Sequence, residues 1–331
     1  MLLEHVMDGF ECGAIMHIAA SDTACGSEVL ICPRVAVHVR NSYFLQWETL
    51  SAQNRISVGN SCTCEFAAGY PPQQVRLKAK DVWQLAGCPG ASVEIADVLD
   101  RNREKMSVQK DSLNGRAGLL IGTGPSLNTV DLREWEHVPS IGCNKLFLLD
   151  KKYRFRPTHY VIEDRLLLED CAKPIADYSG PIRWAPLDHL CLNNMECYFP
   201  LWRSYDGFPR FSTDALSGLF SGWTVSFCML QLAAYLGLKR IGLIGLDGTY
   251  NIPDADYDGP VGTSRADDLN HFDSDYYGPG TRFHAPEAAR VEAAYASAAV
   301  ALTSEGIEVI NCSPTSAISC FTKGTIMDAL G

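Results

Sequence analysis

Leu119-Leu120-Ile121 runs straight into Gly122-Thr123-Gly124-Pro125-Ser126-Leu127. A short apolar run that stops at a Gly-x-Gly-Pro-Ser turn is how a buried parallel strand hands its backbone to a phosphate. Gly122 and Gly124 let the main chain approach a ligand closely. Pro125 suits the first turn of a following helix, where its missing N–H costs nothing, and Ser126 offers a hydroxyl. The turn starts at residue 122 of 331, so another region precedes the nucleotide-binding unit.

From Ala117 onward, apolar strands alternate with helices. Strands are expected at Gly118–Gly122, Ser140–Asn144, Thr158–Asp164, Pro181–Ala185, Arg240–Asp247 and Ile307–Asn311. A short helix is expected around Asp131–Trp135, an apolar helix over Thr224–Leu236 closed by Gly237, and an alanine-rich helix over Ala288–Ser304 closed by Gly306. Such alternation predicts an α/β fold, a doubly wound, Rossmann-like parallel sheet with helices on both faces. Ligands in such sheets lie at the carboxyl ends of strands, where the turn after Ile121, Asn144, Asp164, Asp247 and Ser313 all fall.

Residues 1–112 have another texture. Val29–Cys32, Val35–Val39, Arg55–Val58 and Val75–Ala79 are β-branched and partly alternating, and Ser92–Lys105 reads as a helix. A β-rich or α+β appendage of unknown role is expected over 1–112, linked through polar Ser107–Arg116 to a catalytic domain over 113–331. Within that domain the pattern breaks at 186–222 and at 248–286, and the second break reads as a lid insertion.

A net charge of -11 argues against a nucleic-acid partner, because no Lys/Arg-rich run overrides it. The thirteen cysteines are scattered, and Met1-Leu2-Leu3 is soon followed by Glu4, His5 and Asp8. That pattern predicts a cytoplasmic chain with free thiols, in which Cys62-Thr-Cys64 is a weak zinc signal. No apolar stretch reaches the length of a membrane span, and peripheral membrane contact and oligomerisation stay open.

Gly122-Thr-Gly-Pro-Ser-Leu127, Cys143-Asn144, Ser221-Gly222, Gly245-Leu-Asp247, a His-aromatic pair and Ser313-Pro314-x-Ser316 occur in that order. The ordered set resembles the bacterial sialyltransferases of glycosyltransferase family 42. It also resembles the motility accessory factors that glycosylate flagellin and the 6-hydroxymethylpterin diphosphokinase group. The likeness covers roughly residues 117–322. It implies a GT-A-type catalytic domain in which Gly122, Thr123, Gly124, Pro125, Ser126 and Asn144 hold a nucleotide. Ser221 and Gly222 would contact the nucleotide or donor sugar, Asp247, Tyr250 and Tyr257 would line the donor phosphate, and a lid histidine would be the general base without a metal. Asp164 and Ser316 complete the nucleotide-binding set. Thr123 departs from an Asn common in the sialyltransferases, so the nucleotide need not be cytidine, and Phe220 stands where they often have Thr.

The implied reaction moves a sugar, such as a nonulosonic acid, from a CMP-type donor to a glycan, glycolipid or protein hydroxyl. An imidazole suits the base because its pKa lies near working pH. His271, followed by Phe272, is the first choice and His284 the second. Arg282, between them, is a candidate to neutralise leaving-group charge. No cofactor is expected beyond the nucleotide-sugar substrate. The alternatives are an ATP-dependent pyrophosphokinase, which would need magnesium, and a non-enzymatic nucleotide-binding module. Asp254, Asp256, Asp258, Asp267 and Asp268 read as a solvated acidic loop, with Asp254-Ala-Asp256 as a minor metal option.

Overall fold

The computed structural model describes the backbone of five strands between residues 14 and 66, and residues 95–187, 195–203, 207–251 and 254–331. The chain divides into two compact units. One holds Met1–Val108, Pro186–Tyr205 and Leu216–Gly218; the other holds Gln109–Ala185, Asp206–Ala215 and Leu219–Gly331.

In the first unit, strands Glu28–Ile31, Ala14–Ala20, Cys62–Phe66, Gln53–Val58 and Leu45–Leu50 lie side by side in that order, all antiparallel. The helix Ile95–Gln109 follows. Sheet plus helix is the α+β form of the expectation. The helix runs four residues past Lys105, through buried Met106 and into the stretch read as a connector. Asn102 tethers this helix by exchanging hydrogen bonds with the backbone O and N of Tyr198, each 2.7 Å. The expected strands Val35–Val39 and Val75–Ala79, and the side chains of Cys62 and Cys64, lie outside the described residues.

The second unit is built on parallel strands β1 (Ala117–Ile121), β2 (Ser140–Cys143), β3 (His159–Val161), β4 (Ile182–Pro186) and β5 (Arg240–Ile244). An antiparallel trio follows, β6 (Ala255–Asp258), β7 (Val261–Ser264) and β8 (Arg282–His284). The chain then returns to the parallel sheet with β9 (Glu308–Asn311) and β10 (Thr322–Lys323). The parallel order is β4-β3-β2-β1-β5-β9-β10. The helices are α1 (Leu148–Tyr153), α2 (Arg165–Asp170), α3 (Ala172–Asp177), α4 (Val225–Tyr235), α5 (Ala288–Ser304) and α6 (Ile326–Leu330). The α/β, Rossmann-like class predicted from sequence is the fold observed.

Strand side chains alternate between faces. Leu119 and Ile121 pack with Ile244, Ile310 and Ala329 of α6. Gly118 lies against Leu238, just beyond α4. The α5 helix buries Val291, Ala294, Tyr295, Ala298 and Leu302, a single stripe at helical spacing. The α4 helix is buried almost all round. Its one amide, Gln231, is fully buried and satisfied. It accepts from the N–H groups of Ser212 and Phe220, both at 3.0 Å, and donates to the carbonyls of Phe220 (2.8 Å) and Phe227 (3.2 Å). Gly237 and Gly306 close their helices with φ of 89° and 65°.

Two local readings need correction. The segment after the Gly-Pro-Ser turn is a single 3-10 stretch, Pro125–Thr129, and not the start of an α-helix. The Thr129 hydroxyl donates to the Ser126 carbonyl at 2.7 Å, which diverts an acceptor, and β-branched Thr129-Val130 favours extended backbone. The element around 131–135 is likewise 3-10, Leu132–Trp135, capped by Asp131. Within 248–286 the chain forms the antiparallel trio β6–β8, which no sequence expectation included.

His159 on β3 is almost fully buried, and the Trp184 indole N–H donates to its Nδ1 at 3.2 Å. Burial lowers its pKa to about 4. The unfolded chain takes up a proton near pH 6.5 that the folded chain refuses, so stability is lost as pH falls from about 6.5 towards 4. This one group is expected to cost about 2 kcal/mol between pH 7 and pH 5. His159→Gln should flatten the pH dependence of urea unfolding by that amount; an unchanged slope would contradict the assignment.

Candidate active site

The strand order reverses between β1 and β5, and a crevice outside that point is where open parallel sheets place ligands. Here the loops after the two strands lock together. The Gly122 N–H donates to the Ile244 carbonyl and the Gly124 N–H to the Gly245 carbonyl, both at 2.8 Å. A Cβ at Gly122 would run into the Gly245 carbonyl, and one at Gly124 into the Asp247 carboxylate. These glycines therefore admit the neighbouring loop. The Ser126 N–H donates to Asp247 Oδ2 at 2.9 Å, so a carboxylate already sits on the turn's free amide. Asp247 also receives the Thr315 hydroxyl on Oδ1 at 3.4 Å and the Ala317 N–H on its carbonyl at 2.7 Å. One buried acid thus ties the loops after β1, β5 and β9. The Ser126 hydroxyl, on a residue 6% exposed, is left buried with no hydrogen-bond partner.

Asn144 ends β2 with φ of 50°, a left-handed conformation that Asn tolerates better than most residues. The Tyr160 hydroxyl donates to its carbonyl. The Asn144 Oδ1 is buried without a partner. Tyr276 belongs to the lid and is fully buried. Its phenol receives the Thr123 hydroxyl at 3.3 Å and the Lys145 N–H at 3.4 Å. The Phe272 N–H donates to the Thr123 carbonyl, and the Asn128 amide to the Phe272 carbonyl, both at 2.9 Å. The lid is thereby fastened to the carboxyl ends of β1 and β2.

His271 lies on this fastened segment, stacked flat on Tyr276 with ring centroids 3.8 Å apart. Its Nδ1 is 2.7 Å from Asp268 Oδ2. The Asp268 side chain is 4% exposed, and the N–H groups of Asn270 and Tyr277 also donate to it. Burial pushes the Asp268 carboxyl up, but the His271 hydrogen bond and charge, with those two amides, hold it below the usual carboxylate range.

The remaining candidates fall into other contacts. Asp164 caps α2 through the Leu166 N–H at 2.8 Å and lies 3.3 Å from His284 Nδ1. The His284 side chain is 49% exposed. The Ser221 hydroxyl donates to buried Glu163 at 2.7 Å, and Gly222 packs against Phe227. Arg282 is held by Asp170 at 2.5 Å and Glu169 at 3.4 Å. Tyr250 and Tyr257 are exposed, and Tyr257 meets the ring of Phe283 edge-on. The Ser316 hydroxyl accepts from Asn311 at 3.0 Å, inside the loop after β9. Asp254 and Asp256 both pair with Arg265, at 2.7 and 3.0 Å. Among the described residues no group of three His, Cys, Asp or Glu side chains is placed to hold a metal.

Three site residues escaped the sequence reading as contributors: Glu163, Lys145 and, as a partner for His271, Asp268. Asp268 had a signal, since it stands three residues before the histidine. Lys145 had one too, directly after Asn144.

No family model matches the sequence, and no curated protein matches it. Among solved structures, the chain is similar to the MAf glycosyltransferase from Magnetospirillum magneticum AMB-1. Identity is 14% and the TM-score 0.42, over 69% of this chain and 38% of that one. The chain thus spans well under half the length of that protein. The fold class rests on the strand order of this chain.

Gly122→Ala meets a carbonyl that cannot move aside, so it is expected to destabilise by about 1–3 kcal/mol. Gly124→Ala meets a side chain, so its cost should shrink by at least about 0.5 kcal/mol when Asp247→Ala is already present. Urea unfolding of the four members of that cycle measures the coupling. Strict additivity would contradict the loop clasp.

Proposed function

We propose that the chain is a glycosyltransferase. It moves a sugar, a nonulosonic acid in the first instance, from a CMP-type donor to the hydroxyl of a glycan, glycolipid or protein acceptor. The observation that carries this reading is the Asp268–His271 pair, fastened through Tyr276 over a strand edge that buries two unpartnered polar atoms, Ser126 Oγ and Asn144 Oδ1. Two such atoms, in the loops after the neighbouring strands β1 and β2, call for a hydrogen-bonding ligand.

Asp268 accepts the Nδ1 proton of His271, which leaves Nε2 with a lone pair. In the transfer step the acceptor oxygen bonds to the anomeric carbon. The bond from that carbon to the donor phosphate breaks, and its electron pair leaves with the phosphate. The acceptor proton passes to His271 Nε2. Configuration at the anomeric carbon inverts. The reaction needs no metal in this scheme, and the engagement of Asp254 and Asp256 by Arg265 fits that. His284, half exposed and beside Asp164, is the weaker candidate for the base.

The test is turnover of CMP-, UDP- and GDP-sugars with and without EDTA. His271→Ala is expected to lower kcat by about 10²–10⁴-fold, the usual worth of a general base, and His284→Ala by less. Asp268→Asn should lower kcat with little change in donor KM. Near-normal turnover in His271→Ala would contradict the assignment, and loss of turnover in EDTA would remove the metal-free scheme. Magnesium-dependent turnover of ATP in place of the sugars would select pyrophosphoryl transfer.

A further inference from the structure

Lys145 is 7% exposed and stands at the carboxyl end of β2. Its ammonium has three donors. One goes to the Tyr276 carbonyl. The rings of Tyr276 and Tyr277 lie beside it, with centroids 5.4 and 4.9 Å away. Among the described residues no carboxylate lies within ion-pair distance of it. Aromatic faces recover only part of what an unpaired buried charge costs. The arginines of the lid are in the opposite condition, Arg265 and Arg282 each holding two carboxylates.

The surroundings add an electrostatic reason. The carboxyl ends of β3 and β5 and the lid present Glu163, Asp164, Asp247 and Asp268. A negatively charged donor entering this edge meets like charge unless a cation faces it. Arg282, the sequence candidate for that task, is occupied by Glu169 and Asp170. Lys145 has donors to spare and is joined through Tyr276 to Thr123 and His271.

We propose that Lys145 is an anion-binding residue of this site, whose two remaining N–H donors receive an anionic oxygen of the donor, on its phosphate or on the carboxylate of a sugar acid. The proposal rests on the donor reading above. It assigns to Lys145 the charge that a metal or arginine supplies elsewhere, and it makes Tyr276 a shared support for cation and base.

The test compares paired ligands that differ by one anion. CMP, UMP, GMP and AMP are titrated calorimetrically against their nucleosides, and N-acetylneuraminic acid against its methyl ester. The proteins are the full chain, Lys145→Met and Lys145→Arg, with far-UV circular dichroism to establish that each is folded. Lys145→Met is expected to shrink the preference for one anionic partner at least tenfold while the neutral partner binds as before, and Lys145→Arg to keep most of it. A change confined to the nucleotide pairs assigns the phosphate; one confined to the sugar-acid pair assigns the carboxylate. Unchanged ratios in a chain that binds, or an equal fall for charged and neutral partners, would overturn the role of Lys145 alone. If the unmodified chain binds none of these compounds, the donor reading falls and the assignment with it.

Discussion

The carboxylate of Asp247 is the point from which the rest of the site is hung. It takes the amide of Ser126, the hydroxyl of Thr315 and, through its own carbonyl, the amide of Ala317. These belong to loops after three strands that are neighbours in the sheet. The clasp closes only because Gly122 and Gly124 have no Cβ on the side facing Gly245 and Asp247. A carboxylate on the turn also changes what the turn can hold. A phosphate and a buried carboxylate repel each other, so the turn offers a ligand the hydroxyl of Ser126 more readily than its amide. The cation for the phosphate must then come from elsewhere along the edge.

The lid answers the other half of the problem. It is long, polar and rich in Gly and Asp, yet it is fixed by a few well-placed groups. Tyr276 brings a buried phenol against two donors from the loops after β1 and β2, and Phe272 adds a backbone bond and an apolar anchor. His271 is held by contact with both Tyr276 and Asp268, so its ring plane and its free nitrogen are fixed together. His284 lies at a longer 3.3 Å from Asp164 and keeps half of its side chain in solvent. The difference in anchoring, and not in distance along the chain, separates the two histidines.

Much of this was legible in the chain. The Leu119–Ile121 and Arg240–Ile244 strands stand out because parallel strands buried on both faces must be apolar throughout. Ala288–Ser304 stands out because one stripe of it is apolar at helical spacing. Asn144 and Asp247 were reached by their place at strand ends. The rest depended on partners far away in sequence. The exception is local: Thr129, at the end of the 3-10 stretch, bonds back to Ser126 only three residues away, a choice its residue type alone does not dictate. Arg282 reads as a free cation until Glu169 and Asp170, over a hundred residues earlier, are seen to hold it. The glycines of the turn were read as room for a ligand, whereas the room is filled by another loop. Lys145 had only its place after Asn144 to mark it, and burial without a carboxylate is what singles it out.

In the function proposed above, a nucleotide lies along the carboxyl ends of β1, β2 and β5, beneath the segment Asp268–Tyr277. Hydrogen–deuterium exchange of the full chain with and without saturating CMP tests this directly. Slowed exchange is predicted for peptides spanning Gly122–Asn128, Asn144–Phe147 and Asp268–Tyr277. Protection confined to other segments, or none despite demonstrated binding, would contradict it.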